Sequence, residues 1–169
     1  MELPTIGMKH ILYATDNSED ARSAFAYAAG IAKQFGAKLT LLHVVQDFKD
    51  MVAFDFGIER SVAAQKWFSV NKDYFEEIKK QVQEIAQSTY GGEAVHVDDV
   101  VVEKGNPVKT ILDIAKEKEC DMIVMGVKGR SVLEDTVLGG TVNGVIRRSK
   151  IPVLVIRHKT LEQAGGENE

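Results

Sequence analysis

His10 to Ser18 reads HILYAT followed by DNS, an apolar run that closes on a polar cluster. This is the pattern of a buried strand running into a helix-capping turn. Downstream, Ala21, Phe25, Ala28, Ala32 and Phe35 recur at spacings of four and three. They form one face of a helix that Asn17 or Ser18 caps and Gly36 stops. Lys38 to Val45 (KLTLLHVV) follows as a second strand with little alternation, as expected of a strand covered on both faces. Strand, helix and strand in this order make a parallel pair with a right-handed crossover.

The unit repeats toward the carboxyl end. Gln46 to Gly57 has no period and reads as a loop, and Ile58 to Ser88 reads as a long helical segment broken by Gly91-Gly92. Phe75, Ile78, Val82 and Ile85 share one face of it, and Trp67 and Phe68 near its start read as packing residues. Val95 to Val102 is a third strand, rich in β-branched residues. Asn106 then caps a helix with Pro107 in its first turn, carrying Val108, Ile111, Leu112, Ile114 and Ala115 up to about Glu119. Asp121 to Met125 is a fourth strand. Val142, Val145 and Ile146 mark a last helix ending near Arg147-Arg148, and Ile151 to Ile156 is a fifth strand. The predicted fold is α/β, an open five-stranded parallel sheet of order 3-2-1-4-5 with helices on both faces. It forms one domain over residues 1–158, and the polar residues 159–169 are expected to be a frayed, flexible tail.

Composition narrows the function. Of 169 residues, 44% are hydrophobic and 27% charged, the balance of an ordinary globular domain. The formal net charge of -4 offers nucleic acid or an anionic membrane no electrostatic footing, so neither is expected as a partner. One cysteine, Cys120, excludes an internal disulfide and suits a reducing compartment; it reads as a buried, inert thiol. No basic region leads into an apolar stretch at the amino end, and no apolar run reaches the ~20 residues of a membrane span. The expected location is the cytoplasm.

In open parallel sheets the ligand sits beyond the carboxyl ends of the strands, where the strand order reverses. That places the crevice between strands one and four, past Asp16 and Gly126. The second of these opens a glycine-rich stretch, Gly126-Val127-Lys128-Gly129-Arg130-Ser131 and then Gly139-Gly140-Thr141-Val142. Gly139 and Gly140 carry no side chain to keep an anion from the first amides of the last helix, which with the helix dipole make a phosphate site. Thr141 could add a hydroxyl, and Lys128 or Arg130 a positive charge. The same glycines could also serve only as turns and a helix start, and the stretch is neither a P-loop nor a dinucleotide fingerprint.

Gly126-x2-Gly129-x9-Gly139 resembles the glycine signature of ATP-binding universal stress proteins. So do Ile11 to Glu19, Leu41-Leu42-His43-Val44, Gly105-Asn106-Pro107 and Pro152 to Arg157, in the right order over nearly the whole chain. The resemblance implies an adenine nucleotide alpha hydrolase-like fold and a regulatory, non-catalytic protein of the stress response that binds ATP with Mg²⁺. It implies contacts from Ala14, Thr15 and Asp16, with Asp16 near the ribose or the metal. It puts the Val44 backbone at the adenine, and Met125, Gly126, Gly129, Arg130, Gly139, Gly140, Thr141 and Val142 around the phosphates. One position departs: Gly140 stands where the nucleotide-binding members carry Ser or Thr, and the hydroxyl comes one residue later. A step of one residue turns a helical side chain by roughly 100°. Binding weaker by about tenfold is the expected result, since the amides remain.

The resemblance also implies a homodimer through the last strand, Pro152 to Arg157, where Val153 and Val155 share a face at the sheet edge. The alternative reading is a nucleotide-free dimeric module of the same fold with a regulatory protein partner. Asp16 has a capping reading beside its ligand reading. His43 reads as a core residue, while His10, His96 and His158 show no metal-ligand spacing. Asp98-Asp99 reads as exposed or next to a turn. Glu76-Glu77 and Lys79-Lys80 read as a solvated helix face. No nucleophile triad or Gly-x-Ser-x-Gly elbow is present, and no general base beyond Asp16 supports hydrolysis.

Overall fold

β1 (His10–Thr15) is the central strand of a five-stranded parallel sheet ordered β5-β2-β1-β6-β7. The computed structural model describes residues 7–16, 18–46, 72–90, 92–127 and 138–157. The loop expected from Gln46, the first half of the long helical segment with Trp67 and Phe68, the side chain of Phe75, Lys128 to Arg130 and the tail lie outside what is described.

Local chemistry sets the element ends. α1 (Glu19–Phe35) starts where the Ser18 hydroxyl accepts from the Ala21 amide at 3.2 Å, and ends where Gly36 takes the left-handed conformation at φ 62°. Ser18, not Asn17, is therefore the cap. β2 (Lys38–Val45) pairs with β1 from His10↔Lys38 to Thr15↔His43. α2 (Lys72–Ala86) leads into a short hairpin of β3 (Thr89–Tyr90) and β4 (Glu93–Ala94). β5 (Asp99–Lys104) pairs with β2, and α3 (Pro107–Glu117) begins with Asn106 Oδ1 accepting from the Lys109 amide at 3.0 Å. β6 (Met122–Gly126), α4 (Gly140–Arg148) and β7 (Val153–Ile156) complete the fold.

Counted among the five long strands, this is the order 3-2-1-4-5 expected from the sequence. The two faces of the sheet carry separate cores. Ile11, Tyr13, Leu39, Leu41 and Val124 pack with α1 and with Ile78 and Val82 of α2. Leu12, Ala14, Leu42, Ile123 and Met125 pack with Ile111 and Ala115 of α3 and Val142 and Val145 of α4. Each fully buried large aliphatic side chain contributes roughly 1.5–3 kcal/mol of transfer free energy.

Three expectations change. The third strand spans Asp99–Lys104 and not Val95 to Val102, because Glu93–Ala94 turn back on Thr89–Tyr90 and Asp98 meets the Leu39 amide of β2 with its carboxylate just ahead of the strand. Val95 and Val97 still pack on the α1 core from outside a strand. Phe35 is half exposed at 52%: α1 is ~25 Å long and β1 ~20 Å, so the last helical turn overhangs the strands. Ile146 is exposed at 43%, on a helix that lies over the edge strand β7 and packs against α3.

The amino edge of the sheet is pinned by side chains. Asp121 Oδ2 accepts from the amides of Lys9 at 2.6 Å and His10 at 2.9 Å, and Asp98 Oδ2 accepts from Leu39 at 2.8 Å. His10 Nδ1 lies 2.9 Å from the Lys118 carbonyl, which can only accept, so Nδ1 carries the proton. The other ring nitrogen meets the buried Thr40 hydroxyl at 2.9 Å. Lys33 Nζ meets Glu93 at 2.5 Å and ties the hairpin to α1. The partly exposed Asp99 meets Lys118 Nζ at 2.6 Å, and this bond holds the Lys118 ammonium above its ordinary pKa.

Candidate functional site

The opposite, carboxyl edge is where the sheet order reverses. The chain leaves β1 toward β2 on one side, and α3 carries it from β5 across to β6 on the other. Thr15 ends β1 opposite His43, with Asp16 next in the chain. On the adjoining strand Met125 lies opposite Ala14, and Gly126 and Val127 follow. Asp16 and Gly126 therefore leave neighbouring parallel strands at the same edge, as the strand order requires.

α4 brings its amino end to that edge. Gly139 is its cap, with no side chain to bond the helix, and its N–H donates to the Val127 carbonyl at 3.2 Å. The first turn carries no acidic residue. Among the described residues nothing accepts from the amides of Gly140, Thr141 or Val142. A Cβ added at Gly140 would meet nothing within 4 Å. An anion arriving here meets bare donors at the positive end of a helix dipole.

The side chains around this point divide by burial. Ala14, Met125 and Val142 belong to the core, so they can offer a ligand only backbone. Thr15 and Gly126 are buried, Thr141 and Val44 are half-buried, and Gly140 is exposed. Val44 lies opposite Glu103 at the carboxyl end of β2. His43 is buried at 6% exposure between Thr15 and Val102, the core position expected of it. Gly129 and Arg130 are outside the described residues.

Asp16 works first as a turn former, its Oδ1 accepting from the Ser18 amide at 3.0 Å. Among the described residues no group of three or more His, Cys, Asp or Glu side chains could hold a metal by itself. A lone carboxylate still fits Mg²⁺ held mainly by phosphate oxygens and water, which asks for only one or two carboxylates from the protein. The chemistry the donors offer is binding: amides and a hydroxyl for an anion, one carboxylate for a cation or a ribose.

A model of the universal stress protein family matches residues 7–157. The chain belongs to the universal stress protein family. The universal stress protein MJ0577 of Methanocaldococcus jannaschii is 29% identical over 164 residues, covering 89% of this chain and 96% of that protein. The solved universal stress protein UspA of Lactobacillus plantarum is 26% identical with a TM-score of 0.64, covering 90% of this chain and 100% of that one. A universal stress protein solved in complex with cAMP shares the fold at a TM-score of 0.56 and 20% identity, covering 90% of this chain and 99% of that one.

Within this universal stress fold a concavity of about 400 Å³ lies at the amino edge, between the end of α1 and the β3–β4 hairpin. Lys33, Gly36, Glu93, Val95 and Asp98 help line it, far along the strands from the glycine-rich edge. Lys33 pairs with Glu93 there, and Asp98 accepts from the Leu39 amide. Two contributors to the site edge escaped sequence reasoning. The Val127 carbonyl fastens Gly139, which no motif marks. Gly144 lies against Val108 of α3, and the available signal was a glycine inside a helix, where it costs about 1 kcal/mol unless packing needs it.

Proposed function

We propose that this chain is a regulatory binding protein that holds an adenine nucleotide, ATP with Mg²⁺, across the carboxyl ends of β1 and β6 and the amino end of α4. The observation that carries the reading is the set of bare amides at Gly140, Thr141 and Val142, brought by the Gly139–Val127 bond to the edge where the strand order reverses. The relative solved with cAMP supports an adenine ligand for this fold. Asp16 meets the ribose or the metal, the Val44 backbone meets the adenine, and Gly126, Gly129, Arg130 and Thr141 complete the phosphate side. Binding is the activity proposed, since the site residues offer amides, a hydroxyl and one carboxylate. The protein acts in the cytoplasm.

Calorimetry with Mg-ATP, ADP, AMP and cAMP tests this directly. Saturable binding at micromolar to sub-millimolar concentration is expected, with ATP turnover no faster than background. No heat up to millimolar nucleotide overturns the proposal.

A nucleotide-free dimeric module is the second reading, favoured by Gly140, which offers no hydroxyl to a phosphate. Purified protein that carries no nucleotide, binds none and retains a stable protein partner favours it instead.

A further inference from the structure

Gly144 sits in α4 one helical turn beyond Gly140, on the side that faces α3. A Cβ built there would lie 2.6 Å from Val108 Cγ2 and 3.1 Å from Val108 Cγ1, against 3.4 Å for ordinary contact. Val108 cannot swing away cheaply, because its branched side chain has few rotamers in a helix. The missing Cβ therefore lets α4 sit about 0.8 Å closer to α3 than an alanine would allow.

The two ends of α4 are not held alike. At the carboxyl end the Ser149 amide donates to Val145 at 2.8 Å, and the Ser149 hydroxyl bridges to Ile151 at 2.7 Å. β7 then pairs with β6 over four register positions. At the amino end the tether among the described residues is one backbone bond, Gly139 to Val127, long at 3.2 Å. Of the described restraints the amino-end bond is the weaker, so that is where a wedge at Gly144 is expected to be absorbed.

We propose that Gly144, through its contact with Val108, is a positioning residue that sets the amino end of α4 against the end of β6 and so tunes the affinity of the nucleotide site. The inference rests on the proposed function for the identity of the ligand. Its mechanical half, the placement of Gly139, does not. Hydrogen bonds from amide to phosphate tolerate only a few tenths of an ångström, so a shift of this size loses about one charge-assisted bond, or roughly tenfold in affinity.

The test uses the full chain as wild type, Gly144→Ala, Val108→Ala and the double variant. Each is followed by Mg-ATP calorimetry, thermal unfolding and amide exchange at Gly139. Gly144→Ala is expected to bind about tenfold more weakly at a temperature where it is fully folded, and to exchange the Gly139 amide faster. The double variant is expected to return both values to within about twofold of wild type, since the missing methyls make room for the new one. Wild-type affinity in Gly144→Ala, or a double variant as weak as the single one, overturns the assignment. If wild type itself binds no nucleotide, the proposed function fails. An unchanged Gly139 exchange rate in Gly144→Ala then overturns the positioning role separately.

Discussion

Cys120 joins α3 to β6, with its amide bonded to the Ala115 carbonyl at 2.8 Å and its thiol in the core beneath α3 and α4. Burial pushes the thiol up from 9.0 to about 11, against a smaller downward pull from Lys118. The fold therefore favours the neutral form. The resulting stability is present in full below pH 9 and is lost as pH rises from 9 to about 11, amounting to roughly 3 kcal/mol. Urea unfolding of wild type and Cys120→Ala at pH 8 and pH 11 should show the difference between them shrinking or reversing at the higher pH. Parallel curves would contradict it. A thiol reagent at pH 8 should label the folded protein far more slowly than the unfolded chain. The burial of Cys120 could be read in the sequence because it stands just before the apolar run Met122 to Met125. The charge neighbours, Lys118 and Asp121, were visible too, but not which influence wins.

The start of α4 is the element where sequence and structure meet most closely. Two adjacent glycines before a periodic apolar face announce a helix with bare first amides, and the structure puts Gly139 at the cap and Gly140 in the first turn. The open space over Gly140 has a direct consequence: the Cβ of a serine meets nothing within 4 Å. Gly140→Ser should tighten nucleotide binding by about tenfold through one added hydrogen bond to a charged group, read by calorimetry. Unchanged or weaker binding would place the phosphate elsewhere. Other element ends were less legible. The β3–β4 hairpin is too short to leave a period, and Val95 and Val97 are as β-branched as Val100 to Val102. Only the pairing of Thr89–Tyr90 with Glu93–Ala94 separates the two sets. The overhang of Phe35 depends on the relative lengths of α1 and β1, which spacing alone does not compare.

For the molecule as a whole, the alternation of strands and helices made the parallel sheet readable in the sequence. The order 3-2-1-4-5 that places the switch point was an assumption, and the structure bears it out. What alternation cannot supply is how the outer edges are finished. The amides of Ile123 and Val127 donate to the carbonyls of Pro152 and Ile156 at 3.0 and 2.9 Å, so the even-numbered residues of β7 face β6. Val153 and Val155 therefore turn their N–H and C=O groups away from β6, to the side where no described strand pairs with β7. A homodimer formed by antiparallel pairing of this edge is the expected state in solution. Val155→Pro removes an outward donor without touching the bonds to β6. Light scattering at micromolar concentration should report a dimer for wild type and a monomer for the variant. A wild-type monomer, or a variant that stays dimeric with its fold intact, would argue against this edge.

The central place of β1 bears on how the chain is made. Its partner on one side, β2, is complete at Val45, but the partner on its other side, β6, ends at Gly126. At a ribosomal rate of ~5–20 residues per second, β1 waits about 4–16 s after pairing with β2 before its second neighbour is synthesised. Throughout that interval Ile11 to Ala14, which end up buried on both faces, border an unfilled sheet edge. The nascent chain thus passes through a window in which chaperone capture competes with self-association, and slowing translation across residues 46–121 would widen it.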